Sequence, residues 1–389
     1  MKFHVLAYGF RPHFLLASLA GLVLIPLWAA SFVAGTPLGA GWAPTLWHGH
    51  EMLFGFVASA IAGFLLTAVP SWTGRKGYAG APLAVLAGVW LAGRIMASTS
   101  ILWPPALTAA VDLAFLPILA ALIGWPLLRE RSRNTPLLLV LGLLWLADLV
   151  FHVAVLQSDA PRAGHALLLG IDIVLILVTV IGGRIVPAFT TSAWRQEGVP
   201  GVLKSRAIFT AFAIAAMIAA AVGDVFWPDT RIAGVLAGLA ALAQGVRLLQ
   251  WRSLRTLRQP IVWILHLAYA WLPLGLALKA AALLGGYAFA AFWLHALTIG
   301  ALATMITAVM TRASLGHTGR ALIVHPLTTL GYGRLTAAAL VRGFGLAALR
   351  LNYPLVIVLA ALLWTLAFAL FVGVYAPILW GPRADGKPG

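Results

Sequence analysis

Long apolar runs fill most of the chain, and short polar segments or segments containing Pro and Gly separate them. A helix needs about 20 apolar residues to cross the hydrocarbon core of a bilayer. Twelve runs meet that length, so the pattern predicts an all-α polytopic membrane protein. The eleventh run is the weakest, because Arg334 and Arg342 interrupt it. The predicted spans lie at roughly residues 12–34, 48–70, 82–102, 104–125, 136–157, 164–187, 205–223, 231–250, 259–283, 287–311, 324–347 and 354–378.

The connections between the runs are too short to fold as soluble domains, so we predict a single transmembrane domain over residues 1–389. The first run follows Arg11 and has some features of a signal peptide. It is long enough to span the bilayer and leads directly into further spans. We therefore expect the first run to be retained.

The composition agrees with this class and narrows the chemistry. Of the 389 residues 62% are hydrophobic and only 9% are charged, whereas soluble proteins carry about 25% charged residues. The chain has no Cys, which excludes disulfides, iron–sulfur clusters and thiolate metal sites. Any metal ion must be held by His, Met or carboxylate side chains.

The net charge of +16 does not indicate nucleic-acid binding, because the basic residues lie in small groups between the apolar runs. Such groups mark cytoplasmic loops, as at residues 129–133 and 252–258. We therefore predict that both termini are cytoplasmic and that spans two, six and ten enter from the outer face.

One short pattern opens spans two, six and ten: a His, four residues and a Gly, at residues 50–55, 165–170 and 295–300. Three of only ten histidines at equivalent positions favour an internal repeat of three four-helix units. The units are roughly residues 12–125, 136–250 and 259–378. The alternative is a chance occurrence in a sequence of low complexity.

Polar residues concentrate in the outer half of the predicted spans, where a charge costs about 2.5–3.5 kcal/mol on insertion scales. Helical spacing puts His48 and Glu51 on one face, with His50 turned away toward Phe54. It also pairs Asp148 with His152 on span five, and His165 with Asp172 on span six. The complete set is His48, His50, His152, His165, His295, Glu51, Asp148 and Asp172.

Imidazole is a common ligand of haem iron and copper, and a neighbouring carboxylate fixes its orientation. In a chain without Cys, these histidines predict a bis-histidine haem or a His-rich copper site. Two alternatives use the same residues. The histidines can be interfacial residues or hydrogen-bonded contacts between helices, and the carboxylates can form a proton relay.

Basic residues on the inner side form a weaker set. Arg184, Arg312 and Arg320 are predicted to hold anionic groups such as haem propionates, phosphate or lipid headgroups. The alternative is ordinary cytoplasmic positive charge. We assign no role to the nearby His266, His317 and His325.

Several motifs in the sequence resemble the NnrS family. They lie in order at residues 10–15, 47–56, 62–75, 182–190 and 310–320, although His13 replaces the usual Phe of the first motif. The resemblance implies a bacterial inner-membrane protein that contains haem, expected to be of b type, and copper. It also implies a role in the nitric oxide response of denitrifying and pathogenic bacteria. It assigns neither metal ligands nor a reaction.

The His residues that open spans two, six and ten give the chain an arrangement that looks like the catalytic subunit of haem–copper oxidases. That superfamily includes nitric oxide reductases. Helices two and ten supply haem ligands there, so His50 and His295 are predicted as axial haem ligands. His48, His152 and His165 are then the predicted copper set. In those oxidases helices six and seven supply the copper ligands, whereas span seven of this chain has no His. The predicted carboxylate support or proton path consists of Glu51, Asp148 and Asp172.

The first hypothesis is therefore a haem- and copper-binding membrane protein that binds or turns over nitric oxide and relieves nitrosative stress. Its expected partners are nitric oxide or a related small ligand and the lipid bilayer; no electron donor is predicted. The second hypothesis is a transporter or metallochaperone for haem, copper or a metal–nitrosyl species. A third is a protein that protects iron pools or signals.

Overall fold

The computed structural model describes residues 4–36, 41–203 and 205–387. Within them the chain is helical, with no strand. Eleven helices are long and apolar enough to cross a membrane. They are α1 (Phe10–Ala34), α2 (Pro44–Thr73), α3 (Ala81–Ser98), α4 (Pro105–Arg129), α5 (Leu137–Leu156), α6 (Ala160–Gln196), α7 (Ala207–Phe226), α8 (Arg231–Leu249), α9 (Pro260–Gly285), α10 (Ala288–His317) and α12 (Tyr353–Trp380).

The remaining long helix, α11 (Pro326–Phe344), corresponds to the predicted eleventh span. It has 19 residues, but Arg334 and Arg342 make it less apolar than the others. The prediction of an all-α polytopic membrane protein is confirmed. The weakness expected of this one span is confirmed as well.

The chain divides into two compact units. Unit 1 comprises Met1–Gly170, Met310–Leu322 and Trp364–Gly389, and unit 2 comprises Ile171–Val309 and Ile323–Leu363. In unit 1, α1 packs along α2, and α4 packs against both α3 and α5. In unit 2, α8 packs between α7 and α9. The predicted repeat of three four-helix units stays a prediction.

A buried guanidinium joins the two ends of unit 1. Arg11 is fully buried at the start of α1 and donates hydrogen bonds to the end of α12. Its acceptors are the carbonyl oxygens of Leu379 at 2.9 Å and Gly381 at 2.7 Å. The side chain thus satisfies carbonyl groups that the end of a helix leaves without partners.

The three helices that carry the His and Gly pattern each contain a π-helical segment, and no other described helix does. The segments are Glu51–Val57 in α2, Val178–Gly182 in α6 and Ala296–Ala303 in α10. In α2 and α10 the segment begins directly after the marked histidine, His50 or His295. Segments of this kind are rare and frequently lie at functional sites.

Side-chain donors reach carbonyl groups of these π-helical segments. Trp90 Nε1 donates to the Gly55 carbonyl at 3.0 Å, and Arg247 donates to the Thr179 carbonyl at 2.7 Å. The guanidinium of Arg247 lies where a β-carbon on residue 183 would sit, so a side chain at Gly183 would displace Arg247 from this position. The π-helical segments of α2 and α6 are therefore held in part by side chains of neighbouring helices.

Candidate functional site

Unit 1 contains a buried group of ionisable side chains contributed by four helices. We call it the histidine–carboxylate cluster. No member exposes more than 7% of its surface. The cluster consists of His50 and Glu51 from α2, Arg94 from α3, Asp112 from α4, and Asp148 and His152 from α5.

Local helix geometry places these side chains. Asp148 and His152 are one turn apart on α5 and both face the cluster, as the spacing predicts. His50 faces Phe54, as the spacing predicts, with the two ring centroids 5.0 Å apart. Its predicted separation from Glu51 is wrong, because His50 Nδ1 also lies 3.2 Å from Glu51 Oε1. The π-helical segment of α2 begins at Glu51, so the ordinary helical periodicity does not hold at this point.

The two imidazoles converge on the same two carboxylates. His50 Nε2 lies 2.9 Å from Asp112 Oδ2 and 3.2 Å from Asp148 Oδ1. His152 Nε2 lies 3.0 Å and 3.7 Å from these same oxygens. The Phe151 ring stacks on His50 at 4.7 Å between centroids, and Trp42 meets His50 edge-on at 5.0 Å. The imidazoles therefore face polar atoms on one side and aromatic rings on the other.

Arg94 connects the remaining carboxylate to the cluster. It donates to Glu51 Oε1 at 2.8 Å and also forms an ion pair with Asp112. With neutral imidazoles, the three carboxylates and one guanidinium leave an excess of two negative charges. A buried excess of this kind is costly unless it is compensated. Protons on the imidazoles or a divalent cation supply that compensation.

The donor set fits a transition-metal ion. Four residues each offer one ligand atom, and these four atoms lie within 4.8 Å of one another: they belong to His50, Asp112, Asp148 and His152. With metal–ligand bonds of about 2.0–2.2 Å, neighbouring ligands of a tetrahedral ion are about 3.4 Å apart. The nitrogen–oxygen distances of 2.9–3.7 Å in the cluster bracket that value. Imidazole nitrogen suits copper, zinc, iron and nickel, whereas magnesium and calcium prefer oxygen ligands alone.

The fit to haem is poorer. Both ring nitrogens of His50 contact carboxylates, and the side chain is fully buried. Coordination of haem iron by His50 would therefore require the loss of one of these contacts. His295 belongs to unit 2 and is half-buried before the π-helical segment of α10. Its ring lies 6.5 Å from that of Phe292. The assignment of His50 and His295 as axial ligands stays a prediction.

Several other predicted residues lie outside this cluster. His48 is half-buried and stacks on Trp28 at 4.2 Å, and His165 is exposed on α6. Of the predicted copper set, only His152 therefore belongs to the cluster. Among the basic residues, Arg184 is exposed, and Arg312 and Arg320 are half-buried.

Arg94 and Asp112 are members of the histidine–carboxylate cluster that were not predicted from the sequence. Both lie within predicted spans, where an ionisable residue is itself a functional signal. Neither has a His or an acidic residue one turn away on its own helix, so spacing alone did not connect them to the site. Their partners come from other helices.

Unit 2 contains a second buried group, which we call the lysine–aspartate cluster: Asp172 on α6, Asp224 on α7 and Lys279 on α9. Lys279 forms an ion pair with Asp224, and Asp172 lies close enough to both for their charges to act on it. The predicted shared face of His165 and Asp172 stays a prediction: both lie on the regular α-helical part of α6, where Asp172 is buried and His165 is exposed. The two residues belong to different units, so each follows its own packing.

Comparison with protein families gives one result. A family model described as NnrS protein matches residues 4–383, nearly the whole chain. A comparison with curated proteins finds no match.

Proposed function

The chain belongs to the NnrS family, and on this premise we propose that it is a membrane metalloprotein whose histidine–carboxylate cluster binds copper and serves the nitric oxide response. Family membership supports a role in that response in general. One observation carries the rest of the proposal: the Nε2 atoms of His50 and His152 both point at the same oxygens of Asp112 and Asp148.

Charge and ligand type favour copper at this position. A divalent ion cancels the excess of two negative charges that the cluster otherwise carries inside the membrane. Among divalent first-row metals, copper binds nitrogen and oxygen ligands most tightly. When bound, copper supplies a one-electron redox centre able to bind nitric oxide.

The surrounding residues orient the ligands and exclude water. Glu51 accepts a hydrogen bond from His50 Nδ1, which directs Nε2 at the carboxylates of Asp112 and Asp148. Arg94 holds Glu51 and Asp112 in turn. Phe151 stacks on His50. These contacts fix the imidazole before any ligand arrives.

Metal analysis of purified variants tests this proposal. We expect His152→Ala and Asp112→Asn to lose most of the bound copper, whereas His165→Ala retains it because His165 is exposed outside the cluster. The electron paramagnetic resonance spectrum of the copper(II) form should show two imidazole nitrogens, and one in His152→Ala. Full copper occupancy in both cluster variants, or its loss in His165→Ala, contradicts the assignment.

Haem ligation by His295 is a separate part of the proposal. A visible spectrum of His295→Ala tests it: loss of the Soret band supports His295 as a ligand, and an unchanged band with unchanged haem content excludes it. The same measurement on His50→Ala shows whether His50 binds haem in addition to, or instead of, the copper ion.

Turnover and transport are distinguished with purified protein. Consumption of nitric oxide in nanodiscs with an added electron donor supports turnover. Flux of haem, copper or a metal–nitrosyl complex across sealed vesicles, without consumption, supports a transporter or metallochaperone.

We also propose an inner-membrane location with both termini cytoplasmic, which the basic segments at residues 129–133 and 252–258 support. Because the chain lacks Cys, a single cysteine introduced into either segment reports its side of the membrane by its reaction with an impermeant reagent.

A further inference from the structure

The lysine–aspartate cluster of unit 2 is buried as deeply as the histidine–carboxylate cluster. Asp172, Asp224 and Lys279 expose 3%, 6% and 3% of their surfaces. Each lies on a helix apolar enough to span a membrane. Ionisable residues in such positions are rare and mark ion or proton sites. None of the three belongs to the proposed copper site.

Lys279 is engaged by only one of the two carboxylates. Its Nζ pairs with Asp224 Oδ2 and lies 4.6 Å from the ring centroid of Trp293. The cluster therefore has one positive charge for two carboxyl groups. If both carboxyl groups were ionised, one negative charge would remain uncompensated in a membrane-spanning region.

The carboxyl group of Asp172 is the one that Lys279 does not pair with. Its Oδ2 is buried and has no hydrogen-bond donor among the described residues. Asp172 lies close enough to Asp224 on α7 and to Lys279 on α9 for their charges to act on it. Ionised carboxylates only accept hydrogen bonds, so a proton bound by Asp172 and Asp224 both supplies a donor and removes the negative charge that Lys279 leaves uncompensated.

We propose that Asp172 and Asp224 share one exchangeable proton, which makes the lysine–aspartate cluster a proton-binding site separate from the copper site. With that proton, the three side chains together are neutral. A bound metal cation fits less well, because hard cations take several oxygen ligands and Lys279 already occupies Asp224. The proton site does not depend on the presence of copper or haem.

Infrared spectroscopy of the full-length protein in nanodiscs at pH 7 tests the proposal. A protonated carboxyl group gives a carbonyl band that shifts in D₂O, and the wild type should show such a band. We expect Asp172→Asn to lose it. The matched control is Asp229→Asn, which changes an exposed aspartate of unit 2 and should keep the band. Retention of the full wild-type band in Asp172→Asn overturns the proposal.

A second variant tests whether the proton is shared. In Asp224→Asn, Lys279 loses its partner and becomes available to Asp172, which should then ionise, so the band is lost again. Loss in Asp172→Asn with retention in Asp224→Asn means that Asp172 is protonated alone, and it overturns the sharing. Circular dichroism confirms that each variant is folded.

Two measurements on the wild type need no variant. Complete absence of an exchangeable carboxylic acid band overturns the proposal directly. A band that disappears in sodium or potassium chloride but persists in choline chloride identifies a cation as the occupant, and it also overturns the proposal. Because neither measurement involves copper or nitric oxide, failure here leaves the proposed function untouched.

Discussion

The histidine–carboxylate cluster of unit 1 and the lysine–aspartate cluster of unit 2 both bury more carboxylates than permanently cationic side chains. They differ in the groups available to compensate the excess negative charge. Each buries one cationic side chain among carboxylates on apolar helices. The first has three carboxylates and two imidazoles, and the second has two carboxylates and no imidazole. The first therefore lacks two positive charges and offers nitrogen ligands, whereas the second lacks one and offers only oxygen. The charge deficit and the ligand type, rather than burial itself, distinguish the proposed copper site from the proposed proton site.

The largest effect is expected when the cation of the first cluster is removed. Arg94→Met removes the guanidinium that pairs with Glu51 and Asp112, and breaking a buried ion pair in this way costs about 3–5 kcal/mol. Thermal unfolding in detergent measures the loss, with the exposed Arg162→Met as control. Lys279→Met should cost less, because Lys279 pairs with one carboxylate and the proton remains. The comparison fails if Lys279→Met is the more destabilised variant.

An intermediate effect is expected on metal affinity. Glu51→Gln keeps the shape of the side chain but removes the charge that orients His50. Changes to residues that hold a metal ligand typically weaken binding by about 10–100-fold. Chelator competition with copper measures this, and Asp172→Asn should bind copper as the wild type does. Equal weakening in both variants would show that the two clusters are not independent.

The smallest effect is expected at the surface. Arg75 and Glu130 form an ion pair at 2.9 Å between partly exposed side chains. Such pairs contribute about 0.2–1 kcal/mol, and salt screens them. Glu130→Gln should therefore change the free energy of unfolding slightly, and the difference should shrink in high salt. A loss as large as that of Arg94→Met would remove the distinction between buried and exposed pairs on which the comparison rests.

The helices could be predicted from the sequence because the bilayer imposes a simple length rule. A run of about 20 apolar residues has few structures available other than a spanning helix. The exception is informative: in α11, Arg334 and Arg342 weaken the apolar character without ending the helix. The π-helical segments were not predicted, because a shift in helical periodicity is not visible in a sequence that is apolar on almost every side of the helix.

The candidate site could be predicted only along single helices. The pairing of Asp148 with His152 follows from a spacing of four residues on α5. The contact of Arg94 with Asp112 joins α3 to α4, and spacing along one helix does not say which helices meet. For the same reason, Asp224 and Lys279 were not predicted as the partners of Asp172.

The hydrogen bonds of Arg11 have a consequence for biosynthesis. Their acceptor Leu379 lies 368 residues farther along the chain. At about 5–20 residues per second, a ribosome adds that acceptor about 20–70 s after Arg11. Unit 1 therefore cannot close until unit 2 has been translated, because residues 171–309 lie between its first and last segments. The first helix therefore obtains its contacts with the last helix only after the residues between them have been synthesised.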